Sequence, residues 1–448
     1  MPIPHHNHTS IPSGEDTDDE RTSRRIDPTI FRKGIPSPDS VDVQPEDAKY
    51  ISFYLKEGPG YFGSPCFVGE MLDIFTFSFS QPVLRHSILA LSSMVQPLRS
   101  EIEDQARTYA LRNLRHVIPE IQTAITKVKI TTAHLISVTF LIYYSIATHE
   151  LRKAHTHVRG LFAMLKKSNL VSNDGTPIQS PPDPVLAFVY LLGIKADNIL
   201  ADRNQPYAFP LLRFDENFFR KWLTNTHRSE YDLQICLASI HLAFLCNNVG
   251  HLRNDTVQPR VQGGKEIESI IAERTEIIRK KHQSWLLRPY IQRHIQATTN
   301  APYNPSSNPT QRFLKYPPYQ IFDPAVARMH FVHASLQIQL AIAQHGTIEG
   351  FNDQVFDAAV LICRIFAVVS TGPVNLWLDL ILTPLWLTGV VFGDKRRPYW
   401  EGLQWLGPML VSVDKGGTFS SAAKIREALF EYIQSGDDPW DTLGGKFK

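Results

Sequence analysis

Apolar residues recur along this chain at three- and four-residue steps, most clearly in residues 81–95. Leu84, Ile88, Leu91 and Val95 fall on one helical face, while Arg85, Ser92 and Ser93 fall elsewhere. Pro82 suits the first helical position, where the missing N–H has no intrahelical acceptor and the ring's φ is already helical. This stretch predicts the first full core helix, with one buried side. Downstream, Ile102, Ala106, Tyr109, Ala110, Leu114 and Val117 make a second stripe, opposed by Glu101, Glu103, Asp104, Arg107, Arg112 and Arg115. Pro119 is expected to start a separate short helix carrying Ile121, Ile125 and Val128. Thr131-Thr132 caps a further helix, 133–147, which is apolar nearly all round and must be covered on most sides. The face with Leu84, Ile88 and Leu91 is expected to pack against it.

The same period continues to the far end. Residues 151–170 place Val158, Leu161, Phe162 and Leu165 inside, with Lys166-Lys167 complementing the carboxyl-terminal dipole. Asp183-Pro184 and Asp323-Pro324 read as a cap followed by a first-turn proline. They open helices through Ile199 and to about Gln344. Ile235, Ala238, Leu242, Leu245 and Val249 mark a long helix, and residues 267–281 another that extends through Trp285. Helices follow at 353–370, 376–392 and 420–434, the last with Gly436 at its C′ position. Residues 211–222 give no clear signal. Gly58-Pro59-Gly60-Tyr61-Phe62-Gly63 predicts an irregular connection, and the Asn-, Pro- and Ser-rich residues 297–318 an internal loop. No strand alternation persists. The fold class is all-α, an irregular bundle or array of more than ten helices over residues 46–448. Residues 376–392 are nearly long enough to cross a bilayer, but Asp379 and Pro384 favour a buried, kinked core helix.

Composition changes this picture little. Hydrophobic residues make up 43% of 448, ample for a large core, and 46 basic against 44 acidic side chains leave no global field for a polyanion. Residues 1–45 mix Pro, Ser, Thr and opposed charge blocks, Glu15-Asp16-Thr17-Asp18-Asp19-Glu20 followed by Arg21, Arg24 and Arg25, and are expected to be a disordered tail. With Arg32-Lys33 this basic cluster is either a nuclear-import or phosphate-contacting signal or a solvated tail. Pro2, Pro4, His5, His6 and His8 stand where a secretory leader would need apolar residues, which points to an intracellular, reducing compartment. Cys66, Cys236, Cys246 and Cys363 are scattered and spell out neither a disulfide framework nor a zinc site.

The candidates for chemistry are thin. His155 and His157 stand two apart in a helical context and point to different faces. His330 and His333 share a face but have no carboxylate at a matching step, so they read as ordinary helix histidines. His5-His6-Asn7-His8 offers weak metal scavenging without catalytic geometry. Gly263-Gly264-Lys265 lacks the spacing and following Ser or Thr of a phosphate loop, and no nucleophile-elbow serine occurs. No catalytic, cofactor-binding or metal residue is assigned, no cofactor is expected, and the chain is not expected to be an enzyme.

Several segments occur in a telling order: Pro82-Val83-Leu84-Arg85-His86-Ser87-Ile88-Leu89-Ala90-Leu91-Ser92-Ser93, then Leu111-Arg112-Asn113-Leu114, then the apolar run 135–147, then His157-Val158-Arg159-Gly160-Leu161. With Pro384-Leu385-Trp386-Leu387-Thr388-Gly389, Arg396-Arg397 and Trp400 further on, they resemble the regulatory domain of fungal-specific zinc-cluster transcription factors, across most of residues 45–434. That resemblance implies a nuclear transcriptional regulator whose helical domain senses a small-molecule effector or associates with protein. The implied partners are the transcriptional machinery or a DNA-binding protein, with a homodimer open and no membrane. Family members usually begin with six cysteines that hold two zinc ions and place a helix in the major groove. No cysteine precedes Cys66, so the zinc module is expected to be absent, and direct sequence-specific DNA binding with it. A DNA-binding exon upstream of Met1 is a further reading. Arg159 and Gly160 are expected to serve packing, the glycine by close helix approach and the arginine by pairing with a carboxylate or helix end. The alternative function is a metabolic accessory protein or enzyme that uses a cavity of the scaffold.

Overall fold

The computed structural model describes residues 44–61, 68–95, 100–176, 178, 184–202, 205–224, 229–257, 265–300, 324–345, 353–369, 378–394, 398–415 and 421–435. Expectations for the amino-terminal tail, Cys66, Gly263-Gly264, the loop after Asn300 and Gly436 lie outside these residues. Among the described residues the chain is all-α, with sixteen helices and no strand ladder. They are α1 (Pro45–Tyr61), α2 (Val68–Ser78), α3 (Pro82–Val95), α4 (Ser100–Thr126), α5 (Thr132–Ala147), α6 (Leu151–Lys167), α7 (Pro184–Ala201) and α8 (Glu216–Thr224). Then come α9 (Glu230–Val257), α10 (Lys265–Leu286), α11 (Pro289–Asn300), α12 (Pro324–His345), α13 (Asp353–Val369), α14 (Leu378–Phe392), α15 (Trp400–Lys415) and α16 (Ser421–Ser435).

The main core forms where sequence neighbours pack on each other. Helix α3 lies against α4 and α5, and α5 against α6. Leu84, Ile88 and Leu91 are buried in one cluster with Leu135, Val138 and Ile142 of α5, the expected pairing. Every side chain of α5 from Ala133 to Ala147 is buried, as an all-apolar helix requires. Helix α3 is covered more widely than one stripe: Ser87, Ser92 and Ser93 are buried too. The Ser87 and Ser93 hydroxyls donate back to the carbonyls of Val83 and Ala90 at 2.7 and 2.9 Å, which removes the penalty of burying them.

Two proline expectations need correction. Helix α4 runs through Pro119 without a break. Pro119 is exposed, so the carbonyl its ring leaves without an N–H faces solvent, and the buried stripe Leu114, Val117, Ile121, Ala124 keeps its period across the ring. Ile125 and Val128 are exposed rather than inward. Helix α1 likewise continues to Tyr61 through Gly58-Pro59-Gly60. Helices α4, α5 and α6 each end on a residue with positive φ, Val128, His149 and Asn169. The next N–H in each case reaches back five residues, Lys129 to Ala124, Glu150 to Ser145 and Leu170 to Leu165, closing the helix as a glycine ordinarily would.

Helix α9 separates two apolar clusters. Cys236, Leu237, Ile240 and Phe244 belong to the main core, while Ile235, Ala238, Leu242 and Leu245 face a second cluster with Trp285, Ile291 and Leu336. Among the described residues one segment, Glu230–Arg253, is long and apolar enough to cross a membrane, and 83% of its apolar window is buried inside the fold. Burial on both sides explains its composition. In α14, Leu385, Trp386, Leu387 and Val390 are fully buried beside Leu429 of α16, and the helix passes through Pro384. Helix α15, with Gly402, Gly407 and Pro408 inside it, had no counterpart in the sequence pattern.

Candidate functional site

The feature that stands apart from this core is the outer face of α6. Val158, Leu161 and Leu165 point inward as expected, with Phe162 half-buried. The opposite face carries Arg152, Thr156, Arg159, Ala163 and Lys167, all exposed, with Lys166 at its edge. No acidic residue occurs in the helix. Lys153 pairs with Glu150 at 2.7 Å, whereas Arg152, Arg159, Lys166 and Lys167 have no ion-pair partner among the described residues. Lys166 lies 5.7 Å from the centre of the Phe162 ring. Arg159, Phe162, Ala163, Lys166, Lys167 and Ala208 line an open cavity of about 620 Å³.

The far wall of that cavity is built from the segment after α7, and it is pinned from below. Asp197 of α7 is fully buried and accepts from the backbone N–H groups of Ala208, at 2.9 Å, and Phe209, at 2.8 Å. Burial pushes its carboxyl up to about 7, against the pull of those two donors. Asn247 Oδ1 of α9 accepts from Leu212 N–H at 3.1 Å, and His251 Nε2 lies 3.1 Å from the Phe209 carbonyl. The Phe209 ring meets Phe162 at 4.9 Å between centroids. The groove is therefore a preformed shape with cations on one wall.

Neither packing role expected for Arg159 and Gly160 is found. A Cβ built on Gly160 would meet nothing within 4 Å among the described residues, so none of the described helices approaches it. Arg159 faces the cavity and lowers the pKa of neighbouring His155, second to burial. His155 and His157 are half-buried on separate sides of α6.

His330 and His333 do share a face, and it is a buried one. The His333 ring stacks on His282 at 4.0 Å and on Trp285 at 4.7 Å, while His330 meets His294 edge-on at 5.2 Å. Parallel stacked rings cannot aim their nitrogens at a common ion. No set of three or more His, Cys, Asp or Glu among the described residues is arranged to hold a metal. Burial lowers His282 to about 4 and His330 to about 3. His241, stacked flat on Phe214 at 4.4 Å, falls to about 3 through burial and then the Arg288 charge. Cys236 and Cys363 are buried free thiols, and Cys246 is half-buried.

Together these define an all-α domain with histidines packed as core and a cationic groove on its surface. The model of the fungal specific transcription factor domain matches residues 73–403, well over half of the chain, and the chain belongs to that family. No curated protein and no solved structure matches it.

Proposed function

We propose that this chain is a nuclear transcription regulator that works through its helical domain by associating with a DNA-binding partner protein or the transcriptional machinery, without reading DNA sequence itself. The family match carries this reading, since it spans the helices that build the main core and the α6 groove. The cavity beside α6 supports association over catalysis, because Arg, Lys, Phe and Ala line it and no Ser, Cys, His, Asp or Glu does among the described residues. A small-molecule effector belongs to the same proposal, as a second way of biasing that association.

The test is to tether the chain to an unrelated DNA-binding module and measure transcription from a promoter bearing that module's site. A change in output of severalfold in either direction is the expected result. An unchanged promoter, with the fusion shown by immunoblot and footprinting to be present and bound, overturns the proposal. Purified chain should bind duplex DNA weakly and with strong salt dependence; a sequence-selective complex at physiological salt would contradict it.

A further inference from the structure

We infer that the outer face of α6, with the groove against Ala208, is a docking surface for an acidic amphipathic helix of a partner protein; this deepens the association reading above and rests on it. The first ground is that Arg152 and Arg159 do not serve their own helix. Lys166 and Lys167 sit at the carboxyl end, where the dipole favours them, but Arg152 and Lys153 sit in the first turn, where it opposes them. Arg159 lies mid-helix with no carboxylate beside it among the described residues. Gly160 weakens the helix relative to alanine, with no packing among the described residues to justify it.

The second ground is spacing. Arg152, Arg159 and Lys166 are seven residues apart, so they recur about every 10.5 Å along the helix axis. A partner helix with carboxylates at seven-residue steps presents charge at the same interval. An extended peptide repeats a side every two residues, about 6.6 Å, and falls out of step. Duplex DNA carries a charge about every 1.7 Å of axis, so three cations at this interval leave most of it unmatched, and a net charge of +2 adds no general attraction. Thr156 and Ala163 between the cations are short, and the groove beside them has the apolar floor of Phe162 on which a partner's apolar residue would rest.

The experiment uses the full chain and a fluorescein-labelled, helix-forming peptide of three heptads with glutamate once per heptad, read by fluorescence anisotropy. A peptide of the same composition with its glutamates off the heptad step, and a duplex DNA of random sequence, serve as competitors. The double variant Arg159→Glu/Lys167→Glu reverses the groove charge, and Lys127→Glu/Lys129→Glu makes the same net change outside it. Expected are binding of the heptad peptide, at least tenfold weakening by the groove variant with unchanged circular dichroism, less than twofold weakening by the control variant, and poor competition by the shuffled peptide and DNA. Equal loss in both variants, equal binding of both peptides, or preferential displacement by DNA overturns the assignment. A tethered chain that still alters transcription while the peptide fails to bind refutes the docking surface alone. Peptide binding by a chain that is silent when tethered refutes the regulator reading and leaves the surface standing.

Discussion

Gly160 and Gly250 show how opposite the same residue can be. A Cβ at Gly250 would collide with the hydroxyl of Tyr207, whose ring stacks on His251 at 4.3 Å. Gly250→Ala must drive Tyr207 out of its seat and should lower stability by about 1–3 kcal/mol. At Gly160 the added methyl meets open space, so Gly160→Ala should raise stability by about 0.5–1 kcal/mol through helix propensity alone. Urea unfolding of the two variants checks the order, and a destabilised Gly160→Ala would mean that something already packs there. Asp197→Ala is expected to cost about 1–3 kcal/mol, because it leaves the Ala208 and Phe209 N–H groups without their acceptor. The acceptors stand apart from the segment they hold, Asp197 by 11 residues from Ala208 and Asn247 by 35 from Leu212, which is why the groove wall was not legible beforehand. The cations were legible: an acid-free helix with basic residues in its first turn was visible in the letters, but Lys166-Lys167 had a local explanation in the helix dipole and Arg159 one in packing, which hid their common face.

Among elements, the facing of α3 is the point on which the architecture turns. Leu91 is buried in the main cluster while Arg85 is half-buried at its edge. Leu91→Asp places an unpaired charge inside and should cost several kcal/mol, on the order of a domain's whole stability, whereas Arg85→Ala should be mild. Thermal unfolding of the pair in the reverse order would sink this facing. The helical period carried most element positions because burial on one face leaves a repeating mark. It carried the starts at Pro82, Pro184 and Pro324 but not the outcome at Pro119: α4 keeps its stripe through that residue, and the ring alone suggested a new start. Helix α15 has Gly402, Gly407 and Pro408 inside it, residues that weaken a helix, and Leu406 and Leu410 hold it by packing. The ends of α4 and α6 were obscured for the opposite reason, since Val128 and Asn169 do a job for which glycine is the usual signal.

For the whole molecule, acid should act through the buried histidines. In the folded chain His241, His282 and His330 take up protons only near pH 3 to 4, whereas unfolded histidine does so at about 6.5. Below pH 6.5 the unfolded state thus binds more protons, and each of these residues removes roughly 1.4 kcal/mol of stability per pH unit. Asp197 runs the other way: its folded pKa of about 7 is raised, so between pH 7 and 4 it gains stability on acidification and offsets about one histidine. The urea midpoint should therefore be level above pH 7 and fall from pH 6.5 to 5, less steeply in His333→Phe, which removes a fourth histidine that burial holds well below its ordinary pKa and keeps the stack on Trp285. A midpoint that rises on acidification would contradict this balance. The order of the helices in the main core has a consequence in time. Helices α3 to α6 find one another as neighbours, but Trp386 of α14 and Leu429 of α16 complete the same cluster. At ribosomal speeds of about 5–20 residues per second, the last helix leaves the ribosome roughly 20–70 seconds after α3. For that interval the cluster lacks its last side chains, and the apolar faces of α12, α13 and α14 that they cover stay open, so the nascent chain is expected to call on holdase chaperones late in synthesis rather than early.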